Sequence, residues 1–157
     1  MKKLVVLMSL IIAAAVANAA SFKWSAGNIY ASNGTDKYTG DVTLYAYLAS
    51  ADASTAIAVS TVTASSAGAV AATTFSDDRL VGGNDYVFYF MIEDNGKAFT
   101  SPEKTGSAAA TQTVTLTFGN MASATQNASN WANVPEPTSA LLLMLGVAGL
   151  ALKRKRV

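Results

Sequence analysis

Residues 20–120 alternate apolar and polar side chains with the two-residue period of extended backbone. Asp41-Val-Thr-Leu-Tyr-Ala-Tyr-Leu-Ala49 places Val42, Leu44, Ala46 and Leu48 on one side and Thr43, Tyr45 and Tyr47 on the other. Tyr86-Val-Phe-Tyr-Phe-Met-Ile92 is apolar on both faces and predicts a central strand. The chain then turns at Asn95-Gly96, a strong hairpin signal, and returns through Phe99. In Thr111-Gln-Thr-Val-Thr-Leu-Thr-Phe118, Val114, Leu116 and Phe118 point inward and the threonines outward. With a further strand over 22–30, this predicts a mainly β protein: a small antiparallel β-sandwich, immunoglobulin-like or jelly-roll-like, without a long helix over 20–120. Residues 50–72, "SADASTAIAVSTVTASSAGAVAA", stay open between a short helix over 51–58 followed by a weak strand, and two strands.

The ends break this period. Met1-Lys2-Lys3, the apolar run 4–16 and Ala17-Asn18-Ala19 follow the order of a secretory signal peptide, with Ala17 and Ala19 as the small residues at a cleavage site after 19. Thirteen apolar residues reach only about 20 Å as helix, short of the ~30 Å of a bilayer core, which argues against a permanent N-terminal anchor. At the other end, 140–152 lacks any polar side chain and runs into Lys153, Arg154, Lys155 and Arg156. A chain already being exported would stop there, with the cations held on the cytoplasmic side. Residues 138–152 span about 22 Å as helix, so local thinning and snorkelling would close the gap. Residues 121–134, "MASATQNASNWANV", lack periodicity and read as a polar linker to that helix. Its Trp131 is open between an interfacial anchor and a stray aromatic.

Composition then removes whole classes of chemistry. The 157 residues include no cysteine and no histidine, which leaves no Ser-His-Asp triad, no thiolate and no nitrogen or sulfur ligand for zinc. No cofactor is expected. Over 20–134, five cations stand against nine acids, a net of −4, although the whole chain is +1. An acidic body without a basic face argues against nucleic acid as a partner. Carboxylates remain: Asp77, Asp78 and Asp85 flank "RLVGGN", and Glu93-Asp94 precedes the Asn95-Gly96 turn. Either group could hold calcium or act as a glycosidase pair, but no Asp-x-Asp-x-Asp-Gly loop appears, and a solvated loop and a turn are the plainer readings. Tyr45, Tyr47 and Tyr89 could stack on sugar rings or pair across strands. Asn33-Gly34-Thr35 and Asn127-Ala128-Ser129 match the glycosylation sequon and read as turn and linker.

Pro135-Glu136-Pro137, a short apolar helix with glycine and alanine, and a closing Lys-Arg-Lys-Arg stand in that order over 134–157. This tail resembles the PEP-CTERM sorting signal of Gram-negative bacteria. The resemblance implies that an inner-membrane exosortase recognises Pro135, Glu136 and Pro137, cleaves near them and passes the protein to the cell surface or extracellular matrix, often beside exopolysaccharide production. It further implies that 138–152 is a temporary membrane anchor and that Lys153, Arg154, Lys155 and Arg156 set topology. With the signal peptide it implies transit through the Sec translocon. The domain plan is 1–19 signal peptide, 20–120 secreted β-rich domain, 121–134 linker and 135–157 sorting signal with its transmembrane helix. The function expected is a non-enzymatic exported surface or matrix protein; the alternatives are a small carbohydrate-binding module and a carboxylate-only hydrolase.

Overall fold

The computed structural model describes residues 19–109, 112–121 and 130–134. Nine strands follow in chain order: β1 (Ala19–Gly27), β2 (Asp41–Leu48), β3 (Ile57–Thr63), β4 (Val70–Val81), β5 (Asp85–Asp94), β6 (Lys97–Thr100), β7 (Lys104–Ser107), β8 (Val114–Asn120) and β9 (Ala132–Asn133). They form two sheets. One has the order β4-β1-β8; the other runs β3-β2-β5-β6-β9, with β7 also paired to β5. A 3-10 turn at Ala53–Thr55 is capped by Asp52, which accepts the Ser54 N–H at 2.8 Å.

The alternation in the sequence becomes a two-sided division of burial. On β2, Val42, Leu44 and Ala46 are fully buried, and on β5 so are Phe88 and Phe90. Opposite them lie Phe22 and Trp24 of β1 and Phe118 of β8. Phe22 meets Phe88 with ring centroids 4.8 Å apart, Trp24 meets Phe90 at 6.4 Å, and Phe118 meets Phe90 edge-on at 5.2 Å. The two sheets thus pack face to face through an aromatic core. Each such side chain contributes roughly 1.5–3 kcal/mol by leaving water. The polar end of Trp24 is satisfied as well, since Nε1 donates to Ser60 Oγ on β3 at 3.1 Å and so ties the sheets together. Leu48 was expected on the buried face but is 39% exposed. It lies beyond Ala46↔Ile57, the last β2–β3 pair, where only β5 flanks it, through Leu48↔Tyr86.

The hairpin at Asn95-Gly96 forms as expected, with φ of 50° and 71° at its two central residues, the left-handed pair of a type I′ turn. Three expectations need correction or completion. The pairing is not wholly antiparallel: β1 and β8 run parallel, with Phe22↔Val114 and Trp24↔Leu116 in register. No hairpin joins them, because the chain visits the second sheet between the two and re-enters the first in the same direction. Asp77 and Asp78 lie in β4, not in a loop. The open stretch 50–72 resolves into the 3-10 turn, β3 and the start of β4.

Candidate functional site

The sorting residues inferred from the sequence fall mostly outside the described residues: Ala17, Pro135, Glu136, Pro137, 138–152, and Lys153, Arg154, Lys155 and Arg156. Ala19 is described. It opens β1 as the partner of Val81, separated by a register shift from the regular run that starts at Ala20↔Asp77. Cleavage after 19 would therefore remove one pair and leave the rest of the β1–β4 ladder. Among the described residues no helix is long and apolar enough to cross a membrane.

Of the stretch read as a linker, Met121 and 130–134 are described, and both parts are bonded to the domain. Met121 is buried, and its N–H donates to Gly27 O at 2.8 Å. At the other end, β9 adds to the edge of β6 with Ala98↔Ala132 and Lys97↔Asn133 in register. Val134 N–H donates to Gly96 O at 2.9 Å, one residue before Pro135. Trp131 is 7% exposed and packs on Phe99 with ring centroids 5.8 Å apart. Its placement corrects both expectations for that residue: the side chain lies in the domain's own core, one position before β9, against Phe99 of β6. Trp131 Nε1 has no hydrogen-bond partner among the described residues.

The tyrosines do come together. Tyr45 on β2 and Tyr89 on β5 are directly opposite and lie 5.5 Å apart at 9°, while Tyr47 meets Tyr89 at 6.4 Å. They share the outer face of the large sheet. The Tyr47 hydroxyl donates to Glu103 Oε1 at 2.8 Å, and this bond raises its pKa above the usual phenol value. Burial raises that of Tyr89, with Tyr45 adding to the effect. Beside them runs a groove of about 350 Å³ lined by Tyr38, Asp41, Thr43, Tyr45, Met91 and Glu93. The Tyr38 hydroxyl sits at one end between the carbonyls of Asp41 (2.9 Å) and Glu93 (3.2 Å). Sequence reasoning did not single out Tyr38, Thr43 or Met91 as site residues, because their convergence depends on which strands are neighbours.

The carboxylates are dispersed and partly engaged. Arg79 donates from Nε and Nη2 to the two oxygens of Asp77 at 2.8 and 2.6 Å, and Nη2 also reaches Ala58 O at 2.8 Å. That fork holds the Asp77 carboxyl below the usual range. Asp94 Oδ2 accepts the backbone N–H and the hydroxyl of Ser32, both at 2.8 Å, and its pKa is lowered chiefly by that backbone bond. Among the described residues no three acids gather as a metal site. Asn33 acts as a turn residue, its Oδ1 accepting the Thr35 and Asp36 N–H groups at 3.0 Å each.

With this geometry in view, comparison with known proteins adds one positive finding. The family model described as the PEP-CTERM protein-sorting motif matches residues 133–156. No curated protein and no solved structure matches the chain. The tail is thus a PEP-CTERM sorting motif, which supports an exported protein with an exosortase as its processing partner. The match begins at Asn133, inside β9, so motif and folded domain share residues.

Proposed function

We propose that this chain is a non-enzymatic protein of the cell surface or extracellular matrix. It crosses the inner membrane through the Sec translocon after loss of residues 1–19. It pauses as a membrane intermediate held by 138–152 with Lys153, Arg154, Lys155 and Arg156 inside, and is released when an exosortase cuts near Pro135, Glu136 and Pro137. The observation that carries this reading is the sorting motif at 133–156. The physical chemistry of the sequence agrees with it, since proline on either side of Glu136 disfavours helix there. Of the candidate acids, Asp77 is held by Arg79 and Asp94 by Ser32, structural engagements that favour a non-catalytic role for these two. Fractionation with intact-mass analysis tests the routing. The mature surface form is expected to lack 138–157, and Glu136→Ala is expected to leave export intact while full-length protein accumulates in the membrane. A Glu136→Ala variant processed like wild type would falsify the assignment.

Association with exopolysaccharide is supported by the outer sheet face, where Tyr45, Tyr47 and Tyr89 are contiguous and border a groove with hydroxyl and carboxylate groups. Apolar ring edges beside fixed polar atoms suit the mixed surface of a glycan. Tyr45 and Tyr89 turn their faces to each other, so a sugar would lie across their outer edges and into the groove. In affinity electrophoresis through the host's own polymer, wild type is expected to be retarded and Tyr45→Ala/Tyr89→Ala to run free. Equal mobility of the two sinks this part and leaves the routing untouched.

A further inference from the structure

We propose that β9 is a latch that withholds the sorting motif from its protease until it peels from β6, an inference that rests on the processing reading above. The residues immediately before Pro135 are already used: Ala132 and Asn133 pair with Ala98 and Lys97, and the Val134 N–H is bonded to Gly96 O. A protease that binds its substrate as an added strand needs those same backbone groups. It and β6 therefore compete for one segment, and no spacer separates the motif from the fold. The clasp is Trp131, inserted beside Phe99, which in turn packs on Phe90 in the core at 6.2 Å.

The latch is built to open. It has only two paired residues beyond its anchor, and short strands at a sheet edge are the first to part. Closure in turn covers the β6 edge, which would otherwise offer unpaired backbone to another chain. The closed form thus guards the folded domain, and the open form presents the motif.

The test uses the full-length chain in a host that carries an exosortase. Ala98 and Ala132 are direct cross-strand partners, with Cα atoms expected about 4.5–5.5 Å apart, within the range a disulfide spans. The chain has no other cysteine to interfere. Ala98→Cys/Ala132→Cys should form the bond after export and lock β9. In pulse-chase labelling with intact-mass readout, the locked protein is expected to accumulate with its Lys-Arg-Lys-Arg end and to mature once reductant is added, which also shows that the variant is folded. Trp131→Ala is expected to mature faster than wild type. Equal maturation of the locked and wild-type proteins, or slower maturation of Trp131→Ala, overturns the latch while the routing stands. A wild type that never loses its tail overturns the routing and the latch with it.

Discussion

Asp94 illustrates how a residue chosen for one kind of chemistry serves another. It stands at the end of β5 beside the hairpin turn, and the sequence offered it as a metal or acid–base candidate. Its partner Ser32 is sixty-two positions away, a relation no local pattern encodes. The bonded carboxylate fastens the 28–38 loop to the hairpin. Since its folded pKa lies below the unfolded value of about 3.9, its stabilisation is fully present above about pH 4 and is lost as pH falls through the depressed value. Asp94→Asn is expected to cost about 1 kcal/mol at pH 7, discounted for exposure. The cost should shrink as pH falls below about 4 and through the depressed value, read as converging urea midpoints of wild type and variant. A difference that persists unchanged at low pH counts against the ionised bond. Trp131 was legible only as an aromatic near the tail for the same reason: its pocket is made by Phe99, and nothing in "SNWANV" points there.

Strands were legible where one face is buried and the other wet. β2 satisfies that condition, β5 was legible instead as an apolar run, and the boundaries of both follow from the sequence within two residues. β4 meets neither description. Its middle, "AATTFSDD", carries no apolar alternation, and only its ends bury Val70 and Leu80. It is extended because β1 pairs with it from Val70 to Asp77, a tertiary cause that overrides weak local preference. The turns offer a sharper test of local against tertiary causes. Gly96 and Gly68 both have positive φ, 71° and 67°. A Cβ on Gly96 would meet nothing within 4 Å, whereas one on Gly68 would lie 2.3 Å from the Ile29 carbonyl oxygen. Gly96→Ala is therefore expected to cost about 1 kcal/mol, the backbone term alone. Gly68→Ala should cost about 3 kcal/mol, because a backbone oxygen has to move as well. Chemical denaturation of the two variants checks the order, and equal losses would mean that the loop at Ile29 yields freely.

As a complete object, the protein joins a β domain, whose class the alternation revealed, to a tail whose address was readable from three short signals in a row. The join between them was not readable, since β9 has too little sequence to announce itself and takes its form from β6. One further feature bears on how such a protein is made. β1 lies at the centre of its sheet, flanked by β4 on one side and β8 on the other. Its partners in β8 come some ninety positions later, as in Phe22↔Val114. For a chain delivered amino end first, the opening strand emerges into a compartment where its final neighbour does not yet exist. Trp24 and Phe22 gain β4 and the rings of Phe88 and Phe90 first, and only the β8 side of the strand stays open until the end of the domain follows. The first sheet is therefore completed last, by a pairing of high sequence separation, which is the slow kind to form.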